Sequence, residues 1–126
     1  MSMTELQDLE IKEEYACYRP SSETTVEAAL KQAVEVIAYC REQNVTRLFI
    51  DTTGLEVPPL STMQRFQVGV TLAEAAGPLK IAFLPRPEMI DPELFGLTVA
   101  RNRGLRGAVF KNSEEALAWL LDPNAR

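Results

Sequence analysis

Apolar positions along the chain switch between a period of two and a period of about 3.6, and the switches mark its elements. From Leu9 to Cys17 the odd positions are Leu, Ile, Glu, Tyr and Cys. This alternation, broken at Glu13, predicts one half-buried first strand with an edge position for Glu13. Arg19-Pro20-Ser21-Ser22 ends it, because proline cannot donate to a ladder and serine favours turns. Thr24 and Glu27 form a T-x-x-E capping pattern, in which each side chain satisfies the other residue's free backbone N–H. Val26, Leu30, Ala33, Ile37 and Cys40 then recur at helical spacing, predicting a long amphipathic helix that ends near Asn44.

Val45 to Asp51 is the expected second strand. Ser61 and Gln64 repeat the capping signature as S-x-x-Q, and Phe66, Val70 and Ala73, with Gly69 beside them, give the next helix its apolar side. Gly77-Pro78 stops that helix. Leu79 to Leu84 is nearly continuous in apolar residues, as expected of a strand covered on both faces. Asp91-Pro92 has the form of an N-cap followed by a first-turn proline, opening a helix with a Phe95, Val99, Asn102 stripe that Gly104 can close. Ala108-Val109-Phe110 is a short fourth strand. Asn112 or Ser113 caps a final helix, with Glu114 and Glu115 at the positive end of its dipole and Ala116, Leu117, Trp119, Leu120 and Leu121 on its buried face.

The order β-α-β-α-β-α-β-α predicts an α/β domain with a mostly parallel sheet of about four strands and about four helices, the first strand running in either direction. A chain of 126 residues is long enough for one core without staples, so residues 1–126 are expected to form a single domain. Edge strands left by an open sheet make a homodimer an expected possibility.

Charge narrows the partners. A formal net charge of −5 lacks the basic footprint of non-specific nucleic-acid binding. No apolar run has the length of a membrane span, and the acidic opening MSMTELQDLEIKEE has no signal-peptide pattern, so the expected location is the cytoplasm. Cys17 and Cys40 fall in different elements without CxxC spacing and read as buried apolar residues. The chain has no histidine. A serine or cysteine nucleophile would therefore lack its commonest base, and histidine-containing zinc sites are excluded. Neither GxGxxG nor GxxxxGK[ST] occurs, so the usual phosphate-cradling loops are missing. No catalytic residue, metal site or cofactor is expected.

Candidate chemistry gathers between the second strand and the helix after it. Asp51, Thr52, Thr53, Gly54, Ser61 and Thr62 place a carboxylate and four hydroxyls in a crossover at the carboxyl end of a strand, where open α/β sheets bind ligands. Asp51 is suited to accept hydrogen bonds from the Thr52–Gly54 turn. Arg86, Arg101, Arg103 and Arg106 would form an anion site if the two connections carrying them met at one edge of the sheet. As solvated arginines near a helix end, they would instead offset the dipole.

The stretches LKIAFLPRP, TVARNRG and VFKNSEEALAWLL resemble the carboxyl half of bacterial STAS-like proteins of the anti-sigma-factor-antagonist superfamily. Asp51-Thr52-Thr53-Gly54-Leu55 extends the likeness to the family's D-L-S-G-V segment. Carried through without gaps, Ser61 falls on the second serine of the family's D-S-S-G motif, the one phosphorylated in partner-switching members. Pro59, Leu60 and Thr62 stand where that motif has aspartate, its first serine and glycine.

The resemblance implies a STAS-like fold and a habit of protein-protein or small-ligand binding, and the expected role is a non-enzymatic regulatory or protein-binding module. With the D-S-S-G motif broken at Pro59, Leu60 and Thr62, a phosphorylation switch at Ser61 is one expectation for that residue. Helix capping alone is the alternative role for Ser61. The lipid-binding Sec14-type relatives imply a second function, carrying or sensing a small apolar or anionic ligand between sheet and helix. An enzyme of unknown type is a third. An apolar cavity around Met63, Phe66 and Phe95 would favour a ligand, and an exposed apolar patch a protein partner.

Overall fold

The computed structural model describes residues 6–125. Residues 1–5 of the acidic opening stretch and Arg126 lie outside the described residues. Strand β4 (Arg47–Asp51) runs down the middle of a five-stranded sheet of order β1-β2-β4-β6-β7, built with β1 (Leu9–Ile11), β2 (Ala16–Tyr18), β6 (Lys80–Leu84) and β7 (Arg106–Val109). All neighbours are parallel except β1, which runs antiparallel to β2. A separate pair, β3 (Ser21–Glu23) and β5 (Gly54–Glu56), is also parallel. Helices α1 (Val26–Glu42), α2 (Thr62–Ala76), α3 (Phe95–Asn102) and α4 (Ser113–Leu121) complete the α/β architecture.

Alternation along the strands sorts the core into two layers. Ala16 and Tyr18 of β2, Leu48 and Ile50 of β4, and Ile81 of β6 pack with α1, α2 and Ala100 of α3. Cys17, Phe49, Ala82 and Leu84 point the other way, against Ala116 and Leu120 of α4. Three helices therefore cover one face and a single helix covers the other. Lys80 ties that single helix down. It is buried, and its Nζ donates to the carbonyls of Trp119 at 2.8 Å and Asp122 at 2.9 Å. These take up acceptors left free at the end of α4. The ammonium also lies 4.5 Å from the centre of the Trp119 ring.

Several sequence expectations are corrected. The single first strand is a hairpin: β1 and β2 are joined by a turn closed between the Lys12 N–H and the Tyr15 carbonyl at 2.8 Å, and Glu13 lies in that turn. The alternation continues across the turn and conceals it. Ser21 and Ser22, expected to end a strand, belong to β3, which exists only because it meets β5. The cap of α1 is Thr25, accepting from the Ala28 N–H at 3.1 Å, one residue after the expected Thr24. Helix α3 begins at Phe95, later than expected, because Asp91 caps a turn before it; its carboxylate accepts from the N–H groups of Glu93 at 3.1 Å and Phe95 at 2.9 Å.

The buried side of α2 also differs from the expected stripe. Gly69, Ala73 and Ala76 are buried, whereas Phe66 is exposed. The cause is the close approach of α3: a Cβ on Gly69 would lie 2.5 Å from the Gly96 carbonyl oxygen and 3.2 Å from the Val99 side chain. Gly69→Ala is therefore expected to force the two helices apart and to lower stability by about 1–3 kcal/mol in urea denaturation. An unchanged midpoint would refute this account of the contact.

Candidate functional site

The carboxyl edge of the sheet is fastened by Asp51. One carboxylate oxygen accepts from the Thr53 backbone N–H at 3.0 Å and the Thr53 hydroxyl at 2.6 Å; the other accepts from Arg19 Nε at 3.4 Å. The local turn thus continues the strand's hydrogen bonding with a side-chain acceptor. Thr52 N–H reaches across to the Leu84 carbonyl at 3.0 Å, and Arg86 Nε donates to the Thr53 carbonyl at 2.9 Å. Gly54 begins β5 where the chain passes tightly over β3; a Cβ there would lie 3.0 Å from the Pro20 carbonyl oxygen. Asp51, Thr52, Thr53 and Gly54 are thereby brought together with Arg19 and Arg86.

Ser61 and Thr62 lie beyond β5, at the start of α2. The capping box is complete: Ser61 Oγ accepts from the Gln64 N–H at 3.1 Å, and Gln64 Oε1 accepts from the Ser61 N–H at 2.9 Å. Ser61 remains exposed. On the same two helices, α2 and α3, and at the entry to α3, Met63, Phe66, Phe95 and Leu94 leave 63%, 38%, 36% and 37% of their surface accessible. Leu94 holds a left-handed backbone (φ 52°) at the entry to α3, a conformation costly for a leucine and one that the surrounding structure must impose.

The four candidate anion-binding arginines do not converge. Arg86 sits at the carboxyl edge after β6, near Glu56 at 3.7 Å and Glu88 at 4.0 Å. Arg106 opens β7 at the opposite, amino edge and donates to the Pro78 carbonyl at 3.3 Å. Arg101 donates to the Gly107 carbonyl at 2.8 Å, and the Arg103 guanidinium lies 5.4 Å from the Phe66 ring centre. The parallel strand order causes the separation, since the chain leaves β6 at one edge and enters β7 at the other.

An apolar cleft adjoins the exposed patch. It holds about 190 Å³ between α2, α3 and strands β6 and β7, with Val68, Leu72, Phe83, Leu97 and Val109 in its walls. A second hollow of about 250 Å³ extends toward α1 and shares seven lining residues with the first, among them Thr52, Leu60 and Pro85. Arg65 and Asp91 are the charged residues lining the first hollow. Two backbone N–H bonds hold the Asp91 carboxyl below the usual carboxylate range, and the nearby Arg65 charge acts in the same direction. Sequence reasoning placed the discriminating region near Met63, Phe66 and Phe95 but missed Arg65. The pair Gly69 and Gly96 was the available signal, because two glycines on successive helices mark a close crossing.

Burial dominates the remaining titratable groups. The Cys17 thiol and Tyr18 hydroxyl are both raised, mainly by desolvation. The Lys80 ammonium is lowered by burial, with Arg106 and Arg47 adding to the shift and Asp122 opposing it. Cys40 is wholly buried and pushed from 9.0 up to about 11. Both cysteines are free thiols.

Two measurements follow from these local structures. Ser61→Ala is expected to lower unfolding free energy by about 0.5–2 kcal/mol through loss of the cap, read from urea denaturation with helix content preserved. An unchanged free energy would show that the box adds nothing to stability. For Cys40, the unfolded chain releases its proton near 9.0 and the folded chain near 11. Between those values the folded state holds more protons, so stability falls as pH rises, by on the order of 2 kcal/mol. Cys40→Ala is expected to show a shallower decline than the wild type over this range; identical slopes would refute the assignment.

No helix among the described residues is long and apolar enough to cross a membrane. The sequence matches no protein-family model and no curated protein.

Proposed function

We propose that this chain is a non-enzymatic STAS-like regulatory module that binds a protein partner through the apolar surface at the amino ends of α2 and α3. The observation that carries this reading is the joint exposure of Met63, Phe66, Leu94 and Phe95 on two helices packed together at Gly69 and Gly96. Single exposed apolar residues are ordinary, but four large ones on two helices in contact with each other are what an interaction surface would present. The mostly parallel sheet and the sequence motifs of the carboxyl half support the STAS-like assignment.

Ser61 is the proposed control point. It is exposed next to Met63 and occupies the N-cap of α2, where free N–H groups and the dipole accommodate a phosphate. About two added negative charges at the border of an apolar surface would oppose an apolar partner.

A second reading has its own observation. Two adjacent apolar hollows share seven lining residues between the sheet and the helices, a setting that suits a small ligand.

The protein-binding reading is tested by affinity capture from the native host with the full chain as bait. Partners retained by the wild type and Ser61→Ala are expected to be lost from Phe66→Asp and depleted on Ser61→Asp. Equal recovery on Phe66→Asp would remove the patch as the docking surface. Equal recovery on the two Ser61 variants would remove the switch.

A further inference from the structure

We propose that the cleft between α2, α3, β6 and β7 binds an apolar α-amino acid, its carboxylate on Arg65, its ammonium on Asp91 and its side chain against Leu72, Phe83 and Leu97. This rests on the small-ligand reading and names the ligand's class.

Two features define the occupant. The first is the pair of charges. Arg65 and Asp91 both line the cleft, and the arginine is close enough for its charge to act on the carboxylate. Yet the two form no ion pair with each other, and the Arg65 side chain has no hydrogen-bond or ion-pair partner among the described residues. Asp91 is held in place by the Glu93 and Phe95 N–H groups, with lone pairs to spare on a two-oxygen acceptor. A guanidinium and a carboxylate, both partly buried in one hollow and not paired with each other, suit the two charged groups of a zwitterion.

The second feature is the floor. The hollow is walled by aliphatic and aromatic side chains and holds about 190 Å³. An apolar cavity of roughly 150 Å³ accepts a benzene-sized molecule, so the space suits the side chain of leucine, phenylalanine or tryptophan. The charges also discriminate against simpler ligands. A fatty acid would satisfy Arg65 but meet the Asp91 carboxylate, and an alkylamine would satisfy Asp91 but meet the guanidinium. Only a molecule carrying both charges pairs with both residues.

The test uses calorimetric titration of the full chain with amide chemical shifts mapping the site. The probes are L-leucine, L-phenylalanine, L-tryptophan and three controls: 4-methylpentanoate, which is leucine without its ammonium; 3-methylbutylamine, which is leucine without its carboxylate; and uncharged indole. At least one amino acid is expected to bind in the cleft, and leucine about ten-fold or more tightly than either truncated analogue. Arg65→Gln is expected to erase the advantage of leucine over 3-methylbutylamine while leaving circular dichroism unchanged. Asp91→Asn is expected to erase its advantage over 4-methylpentanoate; should that variant unfold, Arg65→Gln decides alone. Entry of indole or a truncated analogue without preference for any amino acid overturns this inference and leaves the small-ligand reading standing. Failure of all six probes to perturb the cleft overturns both.

Discussion

The requirement that β4 be hydrogen-bonded on both sides and covered on both faces governs the architecture. Leu48, Phe49 and Ile50 are buried whichever way they point, so the strand has no solvent face and its peptide groups must be satisfied by parallel neighbours. β2 and β6 supply them. Each parallel neighbour demands a long return path, and helices α1, α2 and α3 are those paths. The carboxyl ends of the strands consequently gather Asp51, Thr52, Pro85 and Arg86 at one edge, the place where ligands meet open α/β sheets.

Uneven helix coverage turns this scaffold into a surface with features. The face carrying α4 alone is sealed by large side chains, Phe49, Leu84 and Leu120 among them, and by the Lys80 bonds to the end of the helix. A buried ammonium is tolerable there because two carbonyls and an aromatic face replace its water. The opposite face must accommodate three helices. Small residues allow α2 and α3 to approach closely at Gly69 and Gly96, while Met63 and Phe66 of α2 are exposed and Val68 and Leu72 line space between the helices and the sheet. The exposed patch and the apolar cleft therefore both involve the two helices of one crossing.

Polar groups at the carboxyl edge divide in the same way between fastening and availability. Asp51 is occupied by Thr53 and Arg19, and Arg86 by the Thr53 carbonyl and neighbouring glutamates. Ser61 is engaged in its capping box but exposed, and the side chain of Arg65, one helical turn later, lines the cleft and has no bonded partner among the described residues. The carboxylate at the strand end is thus committed to internal bonds, whereas polar groups at the start of α2 are less fully engaged among the described residues.

The local chemistry of the chain alone determined the α/β class, the four helices and much of their capping. Ser61 with Gln64 and Asn112 as caps, the Gly77 stop and the buried run of β6 all depend on interactions within a few residues, which sequence spacing records directly. The Asp51 turn was legible for the same reason. Tertiary structure alone decided the β1–β2 hairpin, the β3–β5 pair, the separation of Arg86 from Arg101, Arg103 and Arg106, and the placing of both Arg65 and Asp91 in the lining of one cleft. Each depends on which distant segments become neighbours, and three-residue strands or lone charges carry no periodicity that identifies a partner. Phe66 shows the boundary most clearly: its spacing fits an apolar helical face, but the glycine contact between α2 and α3 determined which side of the helix would be buried.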